Sequence, residues 1–176
     1  GEGGVRPLER EYLQAIRHLC DREGLALIFD EIQVGMGRTG TLFAYEQLGV
    51  VPDILTSAKA LGNGLPLGAM LATEKVGAAF APGDHGSTFG GNPVACAAAV
   101  VAVQTILGED FLAEVREKGA FLAQRLERVA AHHSHLIEGV RGLGLIQGLV
   151  LTPAAVAKGP EIVNRRLGFV VKQDAA

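Results

Sequence analysis

The sequence of 176 residues has no run of five or more basic residues, and its formal net charge is −3 with a pI near 6.0. Proteins that bind nucleic acids usually carry a basic patch, so the composition argues against nucleic-acid binding. The longest apolar stretch, residues 93–107, contains Gln104 and is shorter than the ~20 residues that a membrane span needs. With 48% hydrophobic residues, we predict a soluble globular protein with its own core.

Cysteine is also scarce. Cys20 and Cys96 are far apart and lack the spacing of a metal site or a CxxC motif, so we predict reduced core thiols in a cytoplasmic protein. The chain has no N-terminal Met and no signal segment, and it stops just after a predicted strand within residues 168–176. We therefore expect a fragment of a longer polypeptide.

Apolar periodicity predicts an α/β fold. Helices are predicted at about 7–23, 93–107 and 109–131, the second of them buried, and buried strands are predicted at 25–30, 53–58 and 68–73. Strands that alternate with helical segments favour right-handed crossovers and a mostly parallel sheet, whose ligands bind beyond the carboxyl ends of the strands. Residues 135–151, interrupted by glycines, indicate strands of a smaller α+β unit.

Lys59 and Asp30 each end a predicted strand. Lys59 lies among small, apolar and glycine residues with no carboxylate in residues 55–70, where desolvation would favour a neutral amine able to form an imine. Alternatively, its stem crosses apolar surface while the ammonium stays in water. A buried Asp30 carboxylate would need a cation or a hydrogen-bond donor, and the protonated pyridine nitrogen of pyridoxal 5′-phosphate (PLP) is one solution.

Other patterns admit competing interpretations. Glu31 could join Asp30 in a metal site, but adjacent residues of an extended chain point to opposite faces. His132, His133 and His135 cluster at a helix end, where imidazolium suits the helix dipole, and no further ligand pattern indicates a metal. Residues 142–148, GLGLIQG, have GxG spacing but do not open a helix, which favours a bulged strand over nucleotide binding.

A polar, glycine-rich loop covers residues 81–93. Its backbone N–H groups and the hydroxyls of Ser87 and Thr88 could bind a phosphate, although such loops before helices are usually turns. Asn92 and Pro93 suit the N-cap and first position of the helix that follows.

Three motifs together resemble the fold-type I, class III (ornithine-type) aminotransferases, which use PLP. They are LIFDEIQVGMGRTG at 27–40, PDILTSAKALGNGLPLGAML at 52–71 and HGSTFGGNP at 85–93, in the order and approximate spacing of that family. The similarity runs from Gly1 to about Val150. It implies part of a PLP-binding large domain at 1–108 and an incomplete small C-terminal domain at 109–176.

The resemblance also implies an activity and a set of site residues. The activity is transfer of an amino group from an acylated ornithine-like donor to 2-oxoglutarate by a cytoplasmic homodimer of amino-acid biosynthesis, the arginine pathway in particular. No metal, membrane or nucleic acid is implied. By position, the resemblance implies that Lys59 is the Schiff-base lysine and proton shuttle, and that Asp30 binds the pyridine nitrogen. Gln33 would lie beside the ring and its phenolic oxygen, and Thr88 would bind the phosphate across the dimer interface. Ser87 would face the substrate, and Glu2 would be the switch glutamate.

The sequence departs from the family pattern in places. Asn63 stands where the family commonly has a second glycine, in a left-handed conformation that Asn can adopt. The carboxylate-binding arginine that pairs with the switch glutamate, the N-terminal phosphate loop and the aromatic residue stacked on the ring are not found. The alternatives are an ornithine- or 4-aminobutyrate-type transaminase, a glutamate-1-semialdehyde-type aminomutase, or an inactive truncated piece.

Overall fold

The computed structural model of the chain describes Gly1 and residues 3–157. These residues form two compact units, Leu8–Glu117 and a second made of Gly1–Pro7 with the residues from Lys118 onward. The predicted domain boundary at residue 108 stays a prediction. Glu2 and the predicted C-terminal strand lie outside the described residues.

A three-stranded sheet organises the unit Leu8–Glu117. Its strands β1 (Ile28–Asp30), β2 (Ile54–Ser57) and β3 (Ala69–Ala72) lie in the order β1-β2-β3. β1 and β2 are parallel, as predicted, whereas β2 and β3 are antiparallel. The connection over residues 58–68 contains only the 3₁₀ helix Lys59–Leu61, too little for the long crossover that a parallel pair requires. The predicted mostly parallel arrangement therefore holds for β1 and β2 but not for the pairing of β2 with β3.

The sheet is also less buried than its apolar sequence predicts. Every residue of β3 is exposed, and Ile28 in β1 is 57% exposed, while Leu55 and Ser57 of β2 are buried. The central strand has one buried face, and in β1 only Phe29 is half-buried. The apolar side chains of β1 and β3 are typical of buried strands, but the described residues leave most of them uncovered.

The main hydrophobic cluster lies between helix α1 (Arg10–Glu23) and the start of the sheet. Leu13, Cys20, Leu27 and Val50 form its buried centre, with Ile16, Phe29 and Leu48 packed against it. Helix α1 starts three residues later than predicted because Glu9, its N-cap, is still extended. It ends where predicted, at Gly24, whose left-handed backbone lets its N–H bond the carbonyl of Cys20.

Four further helices complete the unit. They are α2 (Tyr45–Leu48), α3 (Glu74–Gly77), α4 (Pro93–Ile106) and the first part of α5 (Phe111–His132). The predicted N-terminus of α4 is confirmed: Asn92 accepts hydrogen bonds from the N–H groups of Val94 and Ala95, and Pro93 follows it. The prediction that α4 is buried was wrong, because Ala95 and Ala99 are buried whereas Val94 and Val101 are exposed.

The second unit contains the rest of α5 and an antiparallel hairpin of β4 (Ile137–Leu143) and β5 (Ile146–Leu151), followed by the short helix α6 (Pro153–Ala157). Gly144, at φ +53, lies in the tight turn between the strands. The prediction of a bulged strand at residues 142–148 was wrong, because this segment contains the hairpin turn, and the register shift of the pair lies between Ile137 and Gly139 instead. Among the described residues no single helix is long and apolar enough to cross a membrane, although α4 and α5 pass that test as a bent pair.

Candidate active site

Two parallel strands end side by side at the candidate site. Asp30, the last residue of β1, pairs in register with Thr56 of β2, and Lys59 follows three residues later. The carboxyl ends of neighbouring parallel strands share one edge, and the strands are about 4.8 Å apart. The topology therefore brings Asp30 and Lys59 to the same edge, where α/β proteins bind their ligands.

Lys59 has an unusual backbone. Its φ of +50° is in the left-handed region, which residues other than glycine seldom adopt, and such outliers are frequent at functional sites. Its side chain is exposed, and so are residues 63–66 and 68–73 of the same stretch. The predicted desolvation was wrong because these sequence neighbours are themselves open to water. Within the described part of the chain, no carboxylate forms an ion pair with Lys59.

A tight turn follows Lys59 and fixes the chain behind it. The N–H of Leu65 donates to the carbonyl of Gly62 at 3.0 Å, and a Cβ added at Gly62 would overlap the carbonyl oxygen of Leu65. Asn63 has φ +46°, which confirms the left-handed conformation predicted for it. Gly62 is thus required sterically, a demand that the sequence pattern alone did not identify.

Asp30 is exposed rather than buried, so the predicted burial was wrong, and with it the need for a cation or a hydrogen-bond donor to offset that burial. The carboxylate is nevertheless oriented, because Oδ1 accepts a hydrogen bond from the N–H of Ile32 at 3.0 Å. No described residue donates to Oδ2. One oxygen is held while the other is open, which fits a protonated ring nitrogen as a ligand.

Glu31 is the buried carboxylate of this edge, with 3% of its surface exposed. Its two oxygens accept hydrogen bonds from the N–H groups of Ala44, at 2.6 Å, and Tyr45, at 2.8 Å. Burial raises the pKa of Glu31, and the two backbone hydrogen bonds oppose that rise. Sequence analysis considered Glu31 only as a metal ligand and missed this role, because backbone N–H partners carry no sequence signature.

Gln33 lies in the loop that Glu31 anchors. It is exposed, and no described residue hydrogen-bonds its side chain. The loop turns tightly beside it: the N–H of Gly35 donates to the carbonyl of Glu31 at 2.9 Å, and a Cβ at Gly35 would approach the Phe43 ring to 3.0 Å. Gln33 is therefore carried on a well-defined backbone with a side chain available to a ligand.

Ser87 and Thr88 lie in an exposed loop before α4. The Ser87 hydroxyl accepts a hydrogen bond from the N–H of Gly90 at 3.0 Å, as in a turn. The Thr88 hydroxyl has no hydrogen-bond partner among the residues described. The loop therefore contains a turn, which was the alternative to phosphate binding in the sequence analysis. The Thr88 hydroxyl is still available to a ligand.

The remaining predicted features add no further described residue to the site. Glu2 lies outside the described residues. The described part of the chain contains no cluster of His, Cys, Asp and Glu that could hold a metal ion, so the three histidines and the Asp30 and Glu31 pair do not form one. Cys20 and Cys96 are both free, the first buried and the second half-buried.

The chain belongs to the class-III aminotransferases, because the model of that family matches residues 1–171. It is 53% identical over 167 residues to an acetylornithine aminotransferase of Thermosynechococcus vestitus, covering 95% of this chain and 40% of that protein. A succinylornithine transaminase of Yersinia pseudotuberculosis is 50% identical, with 93% of this chain and 39% of the relative covered.

A solved structure gives the same relationship. The N-acetylornithine aminotransferase of Stenotrophomonas maltophilia superposes with a TM-score of 0.82 at 41% sequence identity, covering 96% of this chain and 43% of that one. The predicted α/β PLP-transferase fold is thereby confirmed. The chain spans about two fifths of the length of the curated relatives it matches.

Proposed function

We propose that these residues form part of a PLP-dependent transaminase that moves the terminal amino group of an acylated ornithine to 2-oxoglutarate. The observation that carries the proposal is the parallel pairing of β1 with β2, which brings Asp30 and Lys59 to one ligand-binding edge of the sheet. The matched class-III aminotransferase family supports the cofactor, and the acetylornithine and succinylornithine relatives support the donor class.

Each proposed site residue has a distinct task. The Lys59 amine would hold the cofactor covalently and carry a proton between its Nζ and the reacting substrate carbon. Asp30 would accept a hydrogen bond from the ring nitrogen through Oδ2, while Oδ1 stays on the N–H of Ile32. Bound PLP supplies an electron-withdrawing ring that stabilises negative charge at that carbon.

The remaining roles concern orientation. Gln33 would hydrogen-bond the phenolic oxygen of the ring, and the Thr88 hydroxyl would bind the phosphate across a homodimer interface. Ser87 would face the substrate, and Glu2 would pair with a carboxylate-binding arginine. We further propose that the protein acts in the cytoplasm, with a large domain ending near residue 108. The homodimer is tested by light scattering with and without PLP.

Covalent labelling tests the assignment of Lys59. Borohydride treatment of the longest natural polypeptide that contains these residues, loaded with PLP, should fix the cofactor to the peptide carrying Lys59 in mass spectrometry. Lys59→Ala should lose the label and at least about 1,000-fold of the activity. Lys75→Ala, an exposed lysine of α3, is the matched control and should keep both. A label that persists in Lys59→Ala on another lysine would reject the assignment.

Substrate profiling separates the competing reactions. N-acetylornithine and N-succinylornithine should each be converted with 2-oxoglutarate much faster than ornithine or 4-aminobutyrate. An aminomutase would instead isomerise its substrate without any 2-oxo acid. A folded monomer of the 176-residue chain that shows no PLP absorbance would indicate that this chain by itself is inactive.

A further inference from the structure

Glu31 connects three parts of the candidate site. Its backbone N–H donates to the carbonyl of Thr56 in β2 at 3.0 Å, and its carbonyl accepts from the N–H of Gly35 at 2.9 Å. Its carboxylate accepts hydrogen bonds from the N–H groups of Ala44 and Tyr45, which lie thirteen and fourteen residues further along the chain. One side chain therefore closes the loop that starts directly after Asp30.

This closure uses a chemically demanding residue. Ionised carboxylates are costly to bury, and Glu31 is buried without a cationic partner among the described residues. The start of a short helix can be satisfied by an exposed Ser, Asp or water, so satisfying two N–H groups does not by itself require a buried glutamate. A carboxylate differs in offering two acceptors on one rigid plane, which fixes the position and the angle of what it binds.

The residues on either side of Glu31 are those assigned to the cofactor ring. Asp30 precedes it and ends β1, and Gln33 lies in the turn closed by the hydrogen bond from Gly35. Both side chains are exposed, so packing around them does not fix their positions. Their backbone is fixed instead, through the hydrogen bonds of Glu31.

We propose that Glu31 is a positioning residue: by binding the N–H groups of Ala44 and Tyr45, it holds the backbone of residues 30–33 so that Asp30 and Gln33 meet the cofactor ring. This inference rests on the proposed function. Glu31 touches neither substrate nor cofactor, and its effect is transmitted through the loop.

Glu31→Gln is the main test, because it keeps the size and one acceptor but turns an NH₂ group toward a backbone donor. Without PLP, amide hydrogen exchange at Ala44 and Tyr45 should become at least about tenfold faster. With PLP, the dissociation constant should rise at least about tenfold, and the pH midpoint of the bound-cofactor absorbance should shift, because Asp30 is displaced from the ring nitrogen.

Glu46→Gln is the matched control. Glu46 is exposed in the same region, and its carboxylate accepts a single backbone hydrogen bond from Phe43 at 3.0 Å. This variant should leave cofactor affinity and absorbance within about twofold of the wild type. If Glu31→Gln does not fold, Ala44→Pro removes one of the two N–H donors at a residue whose φ of −63° suits proline.

The outcomes separate the inference from the proposed function. A wild-type protein that binds no PLP would overturn both. A wild type that binds PLP, with a Glu31→Gln variant that is less stable but has unchanged affinity and an unchanged absorbance profile, would overturn the positioning role alone. Faster exchange at Ala44 and Tyr45 together with weaker, spectrally altered binding would support it.

Discussion

Replacing Asp53 by Asn should destabilise the fold, because the Asp53 carboxylate joins α1 to the start of the sheet. Its Oδ2 accepts hydrogen bonds from Arg17 Nη1 and from the N–H of Leu27, both at 2.8 Å. The Asp53 side chain is 25% exposed, so its ion pair with Arg17 is neither fully exposed to solvent nor fully buried. Asn keeps an acceptor but loses the charge, and we expect a loss of about 1–2 kcal/mol in the free energy of unfolding.

The effect should depend on pH in a defined direction. The N–H of Leu27 and the Arg17 guanidinium hold the pKa of Asp53 below its usual 3.8. A lowered pKa contributes stability that is fully present above the unfolded value and is lost as the pH falls through the folded one. Asp53→Asn should therefore be clearly less stable than the wild type at neutral pH, and this deficit should shrink as the pH is lowered from neutral to about 2.

Urea unfolding followed by circular dichroism at the two pH values measures this difference. Asp21→Asn is the matched control, since Asp21 pairs with the same Arg17 but is 60% exposed; it should cost at most about 0.5 kcal/mol. An Asp53→Asn deficit that is absent at neutral pH, or equally large in acid, would refute the argument that the charge of Asp53 carries the effect.

Two further substitutions test close contacts. Gly62→Ala should lower the free energy of unfolding by about 1–3 kcal/mol and weaken PLP binding, because its methyl group would collide with the carbonyl of Leu65. Gly62 directly follows the 3₁₀ helix Lys59–Leu61. Thermal denaturation measures the loss of stability, and titration with PLP measures the loss of binding. Arg141 Nε donates a hydrogen bond to the Gly4 carbonyl at 2.5 Å, and Arg141→Met removes it. Amide hydrogen exchange in residues 3–5 should then become faster, as hydrogen-exchange mass spectrometry can measure.

Each of these substitutions has a control in the same unit. Gly77→Ala adds a methyl group that meets no atom within 4 Å apart from its own helix backbone and chain neighbours, and it should be neutral or slightly stabilising. Arg125→Met removes an exposed guanidinium that lies over Phe121 and should leave exchange in residues 3–5 unchanged. Equal effects of Gly62→Ala and Gly77→Ala, or unchanged exchange in Arg141→Met, would contradict the respective contact.

Features fixed by local chemistry could be predicted from the sequence. The left-handed Gly24 after α1 and the Asn92 and Pro93 pair before α4 satisfy helix ends within a few residues of themselves. Asn63 adopted the predicted left-handed conformation for the same reason, because the turn is decided by neighbouring backbone. The apolar runs likewise located Asp30 and Lys59 at strand ends, although they did not predict the exposure of the two side chains.

Exposure could not be predicted because it depends on what covers a residue, not on what the residue is. The apolar residues of β1 and β3 are typical of strands that are buried on both faces, yet Ile28 and all of β3 are exposed in this chain. For the same reason, the predicted desolvation of Lys59 and Asp30 was wrong. Their burial was inferred from apolar neighbours in sequence, and those neighbours do not enclose them.

The contacts of Glu31 show why a second group of features was missed. Its partners at residues 44 and 45 are backbone N–H groups, which any residue except proline supplies, so no residue type at those positions indicates the pairing. The bond of Arg141 to the Gly4 carbonyl has the same character across a separation of 137 residues. Side chains that bind distant backbone can therefore shape a site without any motif, and only the folded chain identifies them as residues to test.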